Sequence, residues 1–424
     1  MIKKIFHFNN MVFIALCFIA CSNQGPSNNS GYYAAQVCTP GGSAKPDAVN
    51  NKALPILGNE NNTVSITVGC GYVNQPCASV TICAPGSNGK TSCQTIPNLL
   101  VDTGSYGLRI FDNATTSIGG TLNTTALTPV GSLYECVSYG DGTFQWGRVM
   151  KADVVLGSLV AGNVPIDIIE ASPSTETPTV PQTCVYQQGS AGSADVSTPG
   201  TYNGILGVGL FGQDCGSACA SNADNTQYFS CSGNNCVGSV ASLATQVTNP
   251  VALMPAGYNN GVVVQLNNVS DSGAATSSGY MEIGIGNVSD NTPPNSVSTF
   301  QADSYGNILT VFGGQTYTTS FIDSGSNGLF FPNGCLVMDN SQFFIPGSLT
   351  GFTATQASST GSNSTSVNFN VANVANSNLK VFNDLAADGA GYFDWGLPFF
   401  LGRTVYVGIS GKTSPLGTGP YWAY

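Results

Sequence analysis

Histidine is all but missing from this chain of 424 residues: the single one is His7, close to the N-terminus. Without an imidazole farther along, no Ser-His-Asp triad, Cys-His pair or His-ligated zinc site can be assembled. Charge is scarce as well. Only 8% of residues are Asp, Glu, Lys or Arg, and 22 acidic residues face 11 basic ones. Arg109, Arg148 and Arg403 are the only arginines, so no basic stripe can follow a phosphate backbone and nucleic acid is not an expected partner. Paired C-x-x-C knuckles are absent too. With neither imidazoles nor knuckles, no metal site and no cofactor are expected. The apolar run MVFIALCFIA, Met11 to Ala20, is half the length a membrane-spanning helix needs, which is about twenty residues.

That run follows the basic start MIKK and ends at Cys21, the pattern of a processing segment over residues 1–21. The Phe18-Ile19-Ala20-Cys21 junction resembles a bacterial lipobox, with Phe18 where leucine is usual. The resemblance implies lipidation of Cys21, a membrane held through that lipid anchor, and a cell-envelope lipoprotein. Ser22 after the cysteine implies the outer membrane. The alternative is an ordinary secretory signal cut nearby. Residues 22–61 are rich in Asn, Gly, Ser and Pro and read as a disordered tether. Of the 14 cysteines, Cys17 leaves with the signal and Cys21 is the lipid site, so twelve remain, an even set that reads as disulfides in an exported chain. Cys83 and Cys93 flank the hairpin-like APGSNGKTS, and Cys231 and Cys236 are near enough to pair locally.

From TVSITVG onward, short β-branched segments alternate with Gly, Asn, Ser and Pro turns, and the 52 glycines suit such a chain. Strands with turn signals at close intervals predict an all-β architecture. SVASLATQV, Ser239 to Val247, is the one segment with helical spacing, stopped by Asn249-Pro250. It marks a boundary between a first lobe over 62–255 and a second over 256–424.

One sentence of sequence is written twice. LLVDTGSYGLRIF, Leu99 to Phe111, returns as SFIDSGSNGLFFP, Ser320 to Pro332. Each puts an aspartate at the end of an apolar strand, where a buried charge is costly unless something pairs with it or protonates it. A lone D-T-G or D-S-G is an everyday turn; two of them suggest that each aspartate answers the other. The pair resembles the pepsin-like aspartic peptidases. VSYGDGTFQWGRVMKADVVLGSL, Val137 to Leu159, is similar to the hairpin that closes over substrate in that family, and YNGILGVGL, Tyr202 to Leu210, to the segment beneath the first aspartate loop. The cysteine pattern and the closing GPYWAY look more like an uncharacterised family of bacterial cysteine-rich lipoproteins carrying the same motifs.

The resemblance implies a bilobal pepsin-like double β-barrel with a cleft, acting as a monomeric aspartic endopeptidase on polypeptide. Asp102 and Asp323 are the expected catalytic pair. Two carboxylates a few ångströms apart share one proton and titrate as a unit, so the charged member can take a proton from water while the other hydrogen-bonds the scissile carbonyl. Thr103, Gly104 and Ser105, with Ser324, Gly325 and Ser326, are expected to support the pair. Tyr139, Gly140, Asp141 and Gly142 correspond to the flap, although a Y-G-D-G stretch is also ordinary hairpin chemistry. Where many members carry an aromatic residue this chain has Arg109, which leaves Tyr139 without its usual partner and opens a catalytically silent alternative that binds peptide or glycan in the cleft. Asp394 reads as a solvated or capping acid. The tryptophans, with Phe393, Phe399 and Phe400, read as core.

Overall fold

The computed structural model describes residues 61–114, 124–140, 143–170, 178–185, 202–289, 291–375, 377–389 and 391–424. The processing segment, Cys21, Cys38 and the tether up to residue 60 lie outside them, as do Asp141 and Gly142. The described chain is nearly all β. Its α-helical segments are four or five residues long: Gln182–Val185, Ser217–Ser221 and Leu397–Phe400.

The first half contributes β1 (Thr63–Val68), β2 (Pro76–Cys83), β3 (Gln94–Asp102), β4 (Tyr106–Phe111), β5 (Thr128–Ser138), β6 (Phe144–Leu156), β7 (Leu159–Ile169) and β8 (Gly204–Val208). Leu99, Leu100 and Val101 are all fully buried, because β3 is covered on both faces and its apolar residues therefore run consecutively instead of alternating. β8 lies parallel to β3, with Asp102 opposite Gly207, and antiparallel to β4, with Tyr106 opposite Val208. The chain thus leaves β3 at Asp102, turns across the end of a strand a hundred residues away in sequence, and returns as β4. A hairpin of β9 (Tyr228–Ser232) and β10 (Asn235–Gly238) closes this half.

The second half repeats that crossing. After β11 (Gly261–Leu266), β12 (Ser277–Ile283), β13 (Thr299–Gln301) and β14 (Ile308–Phe312) come β15 (Gln315–Ile322) and β16 (Leu329–Phe330). Then follow β17 (Thr350–Ala357), β18 (Ser364–Val371), β19 (Ala386–Ala387), β20 (Phe393–Trp395) and β21 (Thr404–Gly408). β20 runs parallel to β15, with Ile322 opposite Trp395, and antiparallel to β16, with Leu329 opposite Trp395. Asp323 therefore stands to β20 as Asp102 stands to β8. The strands form a sheet of fifteen, one of seven and a small one of two. The largest joins the halves where β1 pairs antiparallel with β12, Thr63 opposite Glu282.

The two halves are filled differently. Around β3, β4 and β8 the packing is mostly Val, Leu and Ile with Tyr106 and Phe111 among them, whereas Phe312, Phe331, Phe352, Phe369, Phe393 and Trp395 form an aromatic cluster under the second aspartate loop, with Phe393 and Trp395 stacked at 4.4 Å between centroids. Trp146, Trp395 and Trp422 are all buried, as are Phe399 and Phe400. These rings are core.

Five disulfides join Cys70–Cys77, Cys83–Cys93, Cys136–Cys184, Cys215–Cys219 and Cys231–Cys236, and Cys335 is disulfide-bonded as well. Both pairs anticipated from spacing are present. Such a set belongs to an oxidising, extracytoplasmic compartment. Among the described residues no helix is long and apolar enough to cross a membrane.

The helix expected at Ser239–Val247 does not form. One turn is made, with the Thr245 and Gln246 N–H groups both donating to Ser242 O. Other segments claim the remaining backbone groups: Ala241 N–H donates to Cys219 O, and Val247 O accepts from Asp214 N–H. Val240 and Leu243, which set the helical spacing, face solvent.

Candidate active site

Each aspartate is gripped by its own loop. Asp102 Oδ1 accepts from the N–H groups of Gly104 (2.8 Å) and Ser105 (3.2 Å), and Oδ2 accepts from Ser105 Oγ (2.6 Å). Asp323 Oδ1 accepts from Gly325 N–H (2.7 Å), and Oδ2 from Ser326 Oγ (2.8 Å). The D-x-G-S spacing is what local geometry needs. The turn after the aspartate aims the next N–H groups back at its carboxylate, and the serine two residues beyond the hydroxyl residue reaches the outer oxygen.

The loops then lock onto each other. Ser324 N–H donates to Thr103 Oγ1 (2.9 Å) and Thr103 N–H to Ser324 Oγ (3.1 Å). Each hydroxyl gives its own proton to a carbonyl just before the opposite aspartate, Thr103 Oγ1 to Ile322 O (3.0 Å) and Ser324 Oγ to Val101 O (2.7 Å). Glycine is required where the loops meet. A Cβ on Gly104 would fall 2.5 Å from Asp323 Cγ, and one on Gly325 would fall 2.7 Å from Asp102 Oδ1. The absence of those two side chains lets the carboxyls reach each other.

The carboxyls of Asp102 and Asp323 come together around Gly104 and Gly325 and are wholly buried. Two buried carboxyls so close cannot both stay ionised. Burial, then the charge of Asp323, holds Asp102 well above the usual carboxylate range. Burial raises Asp323 too, but bonds from Asp102, Ser326, Gly325 and Gly104 pull it back. The two carboxyls accordingly hold one proton between them and titrate as a unit.

Tyr139 stands just past β5, and the β5–β6 pairing, Ser138 opposite Phe144, makes the expected hairpin. The tyrosine is not left without a partner: its hydroxyl donates to Gln145 Oε1 (2.6 Å) and its N–H to Thr143 O (2.9 Å). Burial holds its phenol well above the ordinary range, with the charges of Arg109 and Asp102 both felt there. Gly140 is exposed, and the remaining flap residues, Asp141 and Gly142, lie outside the described residues.

Arg109 is committed to partners of its own. It is fully buried in an ion cluster, with Nε and Nη2 on Glu135 (3.0 and 2.6 Å), Nη2 also on Asp214 (2.9 Å), and Nη1 on Tyr106 O (3.0 Å). Gln227 bridges the two carboxylates and Tyr228 donates to Asp214 Oδ1 (2.7 Å). Burial pushes Glu135 up, but the charge of Arg109 and the hydrogen bonds with Asp214, Arg109 and Gln227 together outweigh it and the net direction is down; Asp214 is held well above its usual range by burial and the charge of Glu135. The cluster braces the loop behind Asp102 through the Tyr106 carbonyl. Sequence reasoning missed Glu135 and Asp214, whose only signal is that each is an acid in an otherwise apolar stretch.

Asp394 is not solvated. It is fully buried in β20, the strand that the second aspartate loop crosses, and burial followed by the charge of Asp323 holds it well above the carboxylate range. Among the described residues no cluster of three His, Cys, Asp or Glu could hold a metal ion.

A family model described as "Protein of unknown function (DUF3443)" matches residues 58–424, which takes in both aspartate loops and every strand above. No curated protein matches the chain.

Proposed function

The chain belongs to the DUF3443 family of proteins of unknown function, and from its site we propose that it is an aspartic endopeptidase of the pepsin-like kind. The observation that carries this reading is the pair Asp102 and Asp323, buried together between two loops that grip each other reciprocally. A turn aspartate that merely capped its own loop would not need a buried twin, nor glycines cut away to admit it.

In this reading the two halves are the two lobes of a pepsin-like fold and polypeptide binds between them. The ionised member of the pair takes a proton from a water, the protonated member hydrogen-bonds the scissile carbonyl, and water attacks directly with no covalent intermediate. The doubled crossing of β3–β4 over β8 and β15–β16 over β20 supports the lobe assignment. The processing segment with Cys21 supports a lipoprotein of the cell envelope, and Ser22 an outer-membrane one.

One observation favours the silent alternative, in which the fold holds a peptide or glycan without turnover: both carboxyls are closed off from solvent. Asp102→Asn and Asp323→Asn decide between them. Each should abolish cleavage of an unfolded polypeptide at acid pH while leaving the fold intact, since an amide is nearly isosteric with the acid. A statine-type peptide, whose hydroxyl sits between two carboxyls, should bind the wild type and neither variant. Cleavage at the wild-type rate by the double variant excludes the peptidase; peptide binding without any wild-type cleavage selects the silent form.

A further inference from the structure

Cys335 is disulfide-bonded, yet its partner is not among the other described cysteines. Those are spent on one another in five pairs. The cysteines that remain in the chain are Cys17, Cys21 and Cys38. On the lipoprotein reading Cys17 leaves with the processing segment and the sulfur of Cys21 carries lipid. Cys38, within the tether, is the one left.

The loop that carries Cys335 runs from β16 to β17 and is firmly built. Asn333 Oδ1 accepts from the N–H groups of Cys335 (2.9 Å) and Leu336 (3.1 Å). Asp339 N–H donates to Phe343 O (2.9 Å), and Ile345 N–H to Val337 O (2.7 Å). Phe343 and Phe344 sink the return arm into the core. Cys335 is exposed, and so are three apolar side chains of the same loop: Val337 at 66%, Met338 at 43% and Leu349 at 48%. The loop's one charged residue is Asp339, whose Oδ1 is taken by the N–H groups of Ser341 (2.9 Å) and Phe343 (3.0 Å). An exposed apolar surface with no cation of its own fits hydrocarbon, not a charged headgroup.

The length of the tether says what covers that surface. Cys38 lies 17 residues beyond Cys21. Such a segment reaches about 60 Å when fully extended and about 20–25 Å on average. We propose that Cys335 is bonded to Cys38, so that the tether joins the body at this loop and holds Val337, Met338 and Leu349 against the lipid bilayer. Making the bond takes two protons and two electrons from the two thiols; the disulfide of an extracytoplasmic thiol oxidoreductase accepts them by exchange and leaves as a dithiol. The bond rests on the processing of residues 1–21, and the bilayer contact on the lipid at Cys21.

The test uses mature protein extracted from the envelope. Proteolysis without reductant should yield a fragment joining Cys38 to Cys335, which reductant splits, and a separate N-terminal fragment bearing lipid. Cys335 recovered as a thiol, or joined to any other cysteine, overturns the proposal. Val337→Trp then reads the surface, because Trp146, Trp395 and Trp422 are buried. In vesicles of phosphatidylethanolamine and phosphatidylglycerol with brominated acyl chains, its added emission should be quenched. The emission added by Val237→Trp, at an exposed position of β10 in the first half, should not. Cys38→Ser/Cys335→Ser should weaken the quenching at position 337. Equal quenching at the two positions, or quenching unchanged by loss of the bond, overturns the proposal. So does Val337→Trp emission that is shielded without vesicles and released on dilution, which puts a second copy on the loop. If the N-terminal fragment carries no lipid, the lipoprotein reading falls and the bilayer contact with it, while the digest still decides the bond; the peptidase reading is touched by neither.

Discussion

Thr103 and Ser324, 221 residues apart, exchange backbone N–H bonds through their hydroxyls, each oxygen serving the other's amide. Both are fully buried. Thr103→Val keeps the shape and removes the hydroxyl, leaving the Ser324 N–H and the Ile322 carbonyl without partners. Each orphaned buried group costs about 1–3 kcal/mol. Urea unfolding should show a loss in that range, Thr103→Ser should be nearly neutral, and a Thr103→Val/Ser324→Ala double variant should lose less than the sum of the singles.

Arg109 predicts a larger effect. Arg109→Met leaves Glu135 and Asp214 facing each other in the core with no cation, and breaking a buried pair from one side costs about 3–5 kcal/mol. Adding Glu135→Gln and Asp214→Asn should recover part of it, as measured by urea midpoints. Arg109→Trp should likewise destabilise, and should bring no new contact to Tyr139, whose hydroxyl is already committed to Gln145. An Arg109→Met variant as stable as the wild type would show that the cluster is solvated.

Stability should be greatest in mild acid. Asp102, Asp167, Asp214 and Asp394 are all held well above the carboxylate range, burial being the first cause in each. Asp384 is pushed up to about 7 by burial and the charge of Asp271. The folded protein keeps protons that the unfolded chain has already released, so stability falls as pH rises above the ordinary carboxylate range and through these raised values. Glu135 opposes this, because its lowered pKa gives stability that is lost only as pH falls through the folded value. The urea midpoint should therefore be higher at pH 5 than at pH 8, and Asp394→Asn should narrow the difference. A higher midpoint at pH 8 would contradict the burial argument.

The disulfides should differ in worth by the loops they close. Cys136–Cys184 spans 48 residues and Cys215–Cys219 spans 4. On the chain-entropy account the first contributes about 4 kcal/mol and the second about 2. Thermal unfolding of the paired Cys→Ser variants should rank them in that order. Thiol labelling without reductant should find none of the cysteines named in these bonds.

The carboxyl pair was legible because its signal is local. D-T-G-S and D-S-G-S carry within four residues the acid, the turn and the hydroxyl that hold it, and the duplication named the partner. Short β-branched segments with dense turns likewise announced an all-β chain, and Cys83–Cys93 and Cys231–Cys236 lay within one hairpin each. What stayed hidden depends on partners distant in sequence. Arg109 reads as a replacement for the flap tyrosine's usual partner until Glu135 and Asp214, 26 and 105 positions on, enclose it. Ser239–Val247 has helical spacing, but Cys219 and Asp214 take the backbone groups a helix needs. Asp394 reads as a solvated or capping acid because nothing in F-D-W-G says that β15 and β16 will flank it in a buried sheet. Local hydrogen bonding is written in short motifs; burial is a property of what the rest of the chain brings alongside, and it decides whether an acid keeps its proton.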